Sequence, residues 1–366
     1  MKSNYKKLGD YIQLVDERNR DNFVTRLLGV SIEKKFIESI ANTIGTDMSV
    51  YKIVKQGQFA YGPVTSRNGD KVSIALLEEE KCIISSSYTV FEIKDTQQLL
   101  PEYLMLWFRR PEFDRYARFH SHGSAREIFD WEEMCNVELP VPEIEEQQKI
   151  VDSYRAIENR ISILRQINDN LAESIDLIFR EKIIMSEFDL TNLTDFLTFE
   201  RGVEPGSDAY KVEKSNYDIP FFRVQDILNI SSDIYIEKSI AKNKICKPNE
   251  IVVSFDGSVG KIGFGFYGAF SSGMQKISSK FPGFSSALIF AMFRSNEIQI
   301  ELNKTEGTTI AHAGKFIKDL RLPFNLELYS TVQKLIAPIF DKIYYNKIEI
   351  DKLEHLKKYI LSQLSN

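Results

Sequence analysis

Two stretches of the chain carry apolar residues at alternating intervals of four and three. In the first these are Ile150, Tyr154, Ile157, Ile161, Leu164, Asn168, Leu171, Ile175 and Ile178. In the second they are Ile339, Ile343, Asn346, Ile350, Leu353, Lys357, Ile360 and Leu364. A mean spacing of 3.5 residues predicts helices that supercoil about a partner rather than pack on one small domain. Asn168 and Asn346 each interrupt their seam, a device that fixes register at some cost in stability. The first helix is expected from about Glu143 to Ile183, roughly 40 residues and about 60 Å at about 1.5 Å per residue. The second is expected to begin after Pro323, with Pro338 either kinking it or marking its effective start. Two such helices in one chain pair most economically with each other. Because a globular segment precedes each, the expected pairing is antiparallel.

The halves of the chain repeat. Leu8-Gly9-Asp10-Tyr11 returns as Leu193-Thr194-Asp195-Phe196, Gly123-Ser124 as Gly307-Thr308, Leu139-Pro140 as Leu322-Pro323, and Gln148-Lys149-Ile150-Val151 as Gln333-Lys334-Leu335-Ile336. The order is kept and the offset stays near 185 residues, which a duplication explains and chance does not. The stretches between these landmarks diverge.

Each globular half reads as mixed α and β. Lys71 to Leu77 and Cys82 to Ile93 pattern as strands, and Pro101 to Tyr116 as a helix with Tyr103, Leu104, Trp107 and Phe108 on its apolar face. In the second half Glu250 to Phe255 and Lys261 to Phe270 pattern as strands, and Ser285 to Asn303 as a helix. The fold class expected is mixed α/β, with two globular domains separated by a two-helix antiparallel coiled coil and related by a pseudo-twofold repeat.

Composition adds exclusions. Hydrophobic residues make up 43% and charged residues 27% of 366, ordinary for a folded protein. No apolar run reaches the ~20 residues of a membrane-spanning helix. The first residues lack the apolar stretch of a signal peptide. Three scattered cysteines form no disulfide framework. A cytoplasmic, membrane-free protein is the expectation. The net charge of −5 argues mildly against a nucleic-acid binder. By region, residues 1–142 hold 19 basic and 21 acidic side chains, residues 143–185 hold 6 and 9, and residues 186–325 hold 16 and 17. Any DNA contact must therefore come from local patches or from positive charge on a partner.

Candidate chemistry is sparse. Gly257-Ser258-Val259-Gly260-Lys261 has the wrong spacing for a phosphate loop, and Ile262 stands where a magnesium-binding Ser or Thr belongs, so a tight turn is expected. His120-Ser121-His122 lacks further ligands at metal-site spacing. Arg109, Arg110, Arg115, Arg118 and Arg126 make a local basic strip beside Gly123 and Ser124. No nucleophile with a partnered base and no carboxylate pair is arranged recognisably, so neither catalysis nor a cofactor is expected.

The duplication, with each copy closed by a Leu-Pro segment, a Gln-Lys start and a long helix, resembles the specificity subunit of type I restriction-modification systems. The residues carrying the resemblance are Leu139-Pro140-Val141-Pro142-Glu143-Ile144-Glu145-Glu146-Gln147-Gln148-Lys149-Ile150-Val151. Phe59-Ala60-Tyr61, Ile84-Ser85-Ser86-Ser87-Tyr88, Leu100-Pro101-Glu102-Tyr103-Leu104 and Gly257 to Lys261 support it. Pro323-Phe324-Asn325-Leu326 departs from it, lacking the second proline and the paired acids.

The resemblance implies a non-catalytic protein with target recognition domains at 1–142 and 186–325 and coiled-coil helices at 143–185 and 326–366. Each domain would read half of a bipartite site in double-stranded DNA. The helices would dock two methyltransferase subunits, which bind S-adenosylmethionine, and restriction subunits would join them. Base readout draws on Arg, Lys, Asn, Gln, His and hydroxyl side chains. The candidates are Ser66, Arg67, Asn68, Lys71, Arg118, His120, His122, Ser124 and Arg126 in the first domain. In the second they are Arg223, Gln225, Ser258, Lys261, Gln275, Lys304, Thr308, Thr309, His312 and Lys315. The competing reading is a coiled-coil scaffold with two protein-binding domains and no role on DNA.

Overall fold

A computed structural model describes residues 5–39, 45–66, 68–69, 71–122, 127–304 and 317–365. The chain is mixed α and β and divides into two compact units, residues 1–158 with 355–366 and residues 159–354. The longer helices among the described residues are α1 (Pro101–Phe108), α2 (Pro111–Phe119), α3 (Ile144–Phe179), α4 (Ser286–Arg294), α5 (Asn296–Asn303) and α6 (Leu326–Gln363). Each single helix expected before a long one is in fact a pair. In the first unit Pro111 breaks it, because the residue before a proline is pushed out of the helical region and Arg110 is extended. In the second, Ser295 takes an extended conformation between α4 and α5.

The first unit holds an antiparallel sheet in the order Ile12–Val15, Thr89–Ile93, Phe59–Tyr61, Ile74–Leu76. The strand expected over Cys82 to Ile93 is two strands, Lys81–Ile84 and Thr89–Ile93, each with a different partner. Packed against the sheet is an aromatic core in which Phe59 stacks on Phe91 at 4.9 Å and Phe108 lies 4.7 Å from Phe113.

The second unit repeats that sheet in the same order: Leu197–Arg201, Met274–Ser279, Ile251–Ser254, Ile262–Gly263. It also carries a second sheet, in the order Tyr235–Glu237, Asp218–Phe222, Gly268–Phe270, Ile245–Cys246, in which Asp218–Phe222 pairs in parallel with Gly268–Phe270. The first unit holds the counterpart in shorter pieces: Leu28–Val30 pairs antiparallel with Phe36–Glu38, Leu27 bridges in parallel to Ile83, and Lys52–Lys55 pairs antiparallel with Lys81–Ile84.

The duplication reaches down to individual hydrogen bonds. Strand Tyr5–Lys7 pairs antiparallel with Glu138–Pro140, and Leu190–Asn192 with Arg321–Pro323. The Leu8 amide donates to Val137 O at 2.8 Å, and the Leu193 amide to Leu320 O at 2.8 Å. Lys94 Nζ donates to Gly9 O at 2.8 Å, and Lys280 Nζ to Thr194 O at 2.6 Å.

A buried glutamine, Gln147, ties α3 to its own unit. It accepts from the Leu100 amide, the N-cap of α1, at 2.9 Å and donates to Gln98 O at 2.9 Å. Gln333 on α6 does the same for α4, accepting from the Ser285 amide and donating to Gly283 O, both at 2.6 Å. Gln147 lies 7 residues after Pro140 (147 − 140) and Gln333 lies 10 after Pro323 (333 − 323), yet α3 starts 4 after Pro140 and α6 only 3 after Pro323, so the extra residues lie within the first turns of α6. Helix α6 accordingly starts at Leu326 and continues through Pro338, which does not mark its start.

Within each unit the long helices run antiparallel. In the second unit Arg160 pairs with Glu349 at 2.8 Å and Asn168 Oδ1 accepts from Asn346 Nδ2 at 2.8 Å, so advance along α3 is retreat along α6. In the first, Glu158 pairs with Lys357 while Val151 shares a core with Leu364. Ile161, Leu164, Ile175, Ile343 and Asn346 are buried in this seam. Ile157, Asn168, Leu171, Ile350, Leu353 and Ile360 are half-buried. Among the described residues no helix is long and apolar enough to cross a membrane.

Candidate nucleic-acid interface

The loop joining the two inner-to-edge strands of the shared sheet falls at the same place in both units. In the first it spans residues 62–73 and carries Ser66, Asn68 and Lys71. In the second it spans residues 255–261 and carries Ser258 and Lys261. A second candidate segment follows the helix pair of the first unit, where residues 120–122 and 127–128 are described after α2; in the second unit Lys304 follows α5 and residues 305–316 lie outside the described ones.

In the first unit backbone pairing joins the two segments. Val64 and His122 each bridge to Ile128, and the Thr65 amide donates to Glu127 O at 3.0 Å. The Thr65 hydroxyl donates to Ser121 Oγ at 3.0 Å. Ser66 is exposed, and the Asn68 amide reaches Val64 O at 3.5 Å. His120 stacks on Tyr116 at 4.2 Å with Nδ1 3.0 Å from Glu133, and His122 Nε2 lies 3.8 Å from the same carboxylate. Among the described residues no group of three or more His, Cys, Asp or Glu is placed to hold a metal. Arg118 pairs with Glu127 at 2.6 Å. Lys71 pairs with Glu33 at 2.8 Å, and this hydrogen bond holds the Glu33 carboxyl below its ordinary value. The Lys71–Glu33 pair is solvent-accessible and so worth about 0–1 kcal/mol, whereas the Glu127 oxygen facing Arg118 is itself buried. Arg67, Ser124 and Arg126 lie outside the described residues.

In the second unit the loop is a tight turn with Gly257 at φ +71° and Gly260 at φ +81°. It joins two antiparallel neighbours, so it lacks the following helix N-terminus that a phosphate cradle needs. Gln299 of α5 donates to Gly260 O at 3.0 Å, and a Cβ at Gly260 would meet that side chain at 2.5 Å. The turn is thus seated on α5, whose C-terminal end carries Lys304, paired with Glu301. On its other side the Phe255 amide donates to Gly273 O at 2.9 Å, and a Cβ on Gly273 would meet Val224 at 2.7 Å. That brings in the short turn of Arg223 and Gln225, where Arg223 Nε donates to Asp226 at 2.7 Å and this bond raises the guanidinium pKa. Gln275 sits one residue into the next strand, half-buried opposite Arg201. Thr308, Thr309, His312 and Lys315 lie outside the described residues.

Sequence reasoning passed over two groups beside these loops. Arg201 is exposed, donates to Ser272 O at 2.8 Å and lies 3.7 Å from Asp256. Lys34, Lys35, Arg109 and Arg115 line one groove with Lys71 and Arg118. Arg109, Arg115 and Arg118 were legible as a basic strip, but Lys34 and Lys35 lie more than 70 residues away in sequence.

Residues 6–173 match the model of the type I restriction modification DNA specificity domain. Over these residues the chain is similar to that family. Among curated proteins, the Type I restriction enzyme HindI specificity subunit of Haemophilus influenzae is 22% identical over 180 residues, 47% of this chain and 39% of that protein. The match therefore spans less than half of the relative's length. Among solved structures, the Type-I restriction-modification system S subunit from M. genitalium aligns over 99% of this chain and 96% of its own, at 13% identity and a TM-score of 0.55. The HsdS subunit from Thermoanaerobacter tengcongensis aligns at 17% identity and a TM-score of 0.39 over 100% and 97%. The fold shared with the M. genitalium subunit covers both units, and the family match over residues 6–173 includes Leu139 to Val151, which first carried the resemblance.

Proposed function

We propose that this chain is the non-catalytic specificity subunit of a type I restriction-modification complex. Its recognition domains, residues 1–142 and 186–325, each read one half of a bipartite target in double-stranded DNA. The carrying observation is the recurrence, on one sheet order in both units, of a loop with polar and basic side chains: Ser66, Asn68 and Lys71 in one, Ser258 and Lys261 in the other. Equivalent loops with different residues suit two readers of different half-sites. Ser66, Asn68, His120 and His122 offer base-edge contacts in one domain, and Arg223, Gln225 and Ser258 in the other. Lys71, Arg118, Lys261 and Lys304 suit phosphates.

The long helices dock two methyltransferase subunits, with restriction subunits joining the assembly. Ile163, Leu177, Tyr345 and Tyr359 stand 50–64% exposed on α3 and α6, apolar surface of the kind that marks a protein contact. Basic partners would also supply the positive charge that a chain of net −5 lacks.

The test is to purify the chain with its candidate methyltransferase subunits and measure retention of genomic DNA fragments across a salt series. Methylation mapping of cells with and without the gene then gives the motif. A two-part motif that disappears with the gene is expected. No change in any methylated motif, together with no DNA retention, leaves the scaffold reading instead.

A further inference from the structure

A groove of about 1050 Å³ opens on the first unit between the Ile32 to Lys35 turn, α2 and the Lys357 end of α6. Seven basic side chains and three carboxylates line it, against the sign of the chain as a whole. Its carboxylates are committed. Asp114 holds the buried Lys34 at 2.7 Å and also accepts from the Val72 amide at 3.0 Å. Glu158 serves both Arg109 and Lys357, at 3.2 Å each. Lys35, Lys71, Arg115 and Arg118 remain exposed at the mouth.

Among these cations stands Phe119, 81% exposed at the end of α2. An aromatic ring left in water beside a run of cations is the composition of a nucleic-acid track, where phosphates meet charge and a ring packs on sugar or base. The groove also adjoins the loops already described, since Lys71 and Arg118 belong to both.

We propose that this groove holds the phosphodiester backbone of one DNA strand flanking the half-site. Lys35, Lys71, Arg115 and Arg118 face successive phosphates, and Phe119 packs against a deoxyribose or base edge. The assignment rests on the DNA-reading function proposed above and extends the contact beyond the reading loops.

The test uses the full chain with its partner subunits and a duplex bearing the mapped target. Affinity is measured against salt for wild type, Lys35→Ala/Arg115→Ala and Phe119→Ala. The double variant is expected to lower the slope of log affinity against log salt by about two and to weaken specific and random duplexes alike, leaving the methylated motif unchanged. Phe119→Ala is expected to lose affinity several-fold at an unchanged slope, because a neutral contact releases no counterion, and Phe119→Leu to keep part of it. Wild-type affinity and slope in both variants overturns the groove while leaving DNA reading intact. Inorganic phosphate binding in the absence of DNA, seen by calorimetry, would reassign the groove to a free anion. A wild-type complex that binds no duplex sinks both readings.

Discussion

Asn346 Nδ2 donates to Asn168 Oδ1 at 2.8 Å, joining the two residues that interrupt the heptad seams. Asn346 is buried and its own Oδ1 has no partner, so the pair is incompletely satisfied. Its value lies in register, since any slip of one helix past the other would strand both amides against apolar neighbours.

Replacing the pair together, Asn168→Leu with Asn346→Leu, should raise the thermal midpoint of the full chain, because two half-satisfied amides give way to packed apolar groups. Asn346→Leu alone should cost about 1–2 kcal/mol relative to the double variant, by leaving Asn168 against leucine. Calorimetric scans of the three proteins check the order. A double variant less stable than wild type would show that the amides contribute more than register.

The glutamine clamps should behave as a matched pair. Gln147→Ala strips the Leu100 amide and the Gln98 carbonyl of their partners, and Gln333→Ala does the same to Ser285 and Gly283. Each should destabilise its own unit by roughly 2–3 kcal/mol through unmet polar groups. Hydrogen exchange should localise the loss to α1 in one case and α4 in the other. Uniform protection loss across the chain would contradict a local clamp.

Lys347 makes a stability prediction with a definite sign. Its Nζ donates to Phe264 O at 2.8 Å and lies 4.3 Å from that ring, and burial pushes its pKa down to about 8. The folded value is below that of the unfolded chain, so between about pH 8 and 10 the unfolded state binds more protons and stability rises with pH. Lys347→Met removes this rise. The variant should exceed wild type by up to ~3 kcal/mol near pH 7 and lose that advantage by pH 10. Denaturant unfolding at pH 7.5, 8.5 and 9.5 reads the difference, and a gap that stays constant with pH rules the effect out.

If the helices set the spacing of two half-sites, lengthening them in step should lengthen the gap. Seven residues inserted between Leu164 and Arg165, matched by seven between Glu349 and Ile350, add about 10 Å, or roughly three base pairs. Methylation mapping should return the same half-sites farther apart. An unaltered gap would end the ruler idea.

The heptads, the repeat and the long helices were legible in the sequence because each is a periodic or local signal. The candidate loops were legible as polar, turn-rich stretches such as Ser66 to Lys71. Their meeting was not, because the bridge from Val64 to Ile128 spans residues that no local pattern links. The clamps were hidden differently: Gln148-Lys149 aligns best with Gln333-Lys334, yet Gln147 is the residue that shares the role of Gln333, and only the hydrogen bonds reveal the shift. Breaks at Arg110 and Ser295 were missed because the apolar pattern runs through both.

The short ladders at the hinges have a mechanical consequence. Leu190 lies opposite Pro323, so the chain enters and leaves the body between them at the same end of the ladder. Drawing α3 and α6 apart there loads the pairs one after another, in the geometry of a zipper rather than a shear. Such a ladder yields at low force, pair by pair. Tension along the helices would open the hinge before it reached the sheet that carries the reading loops.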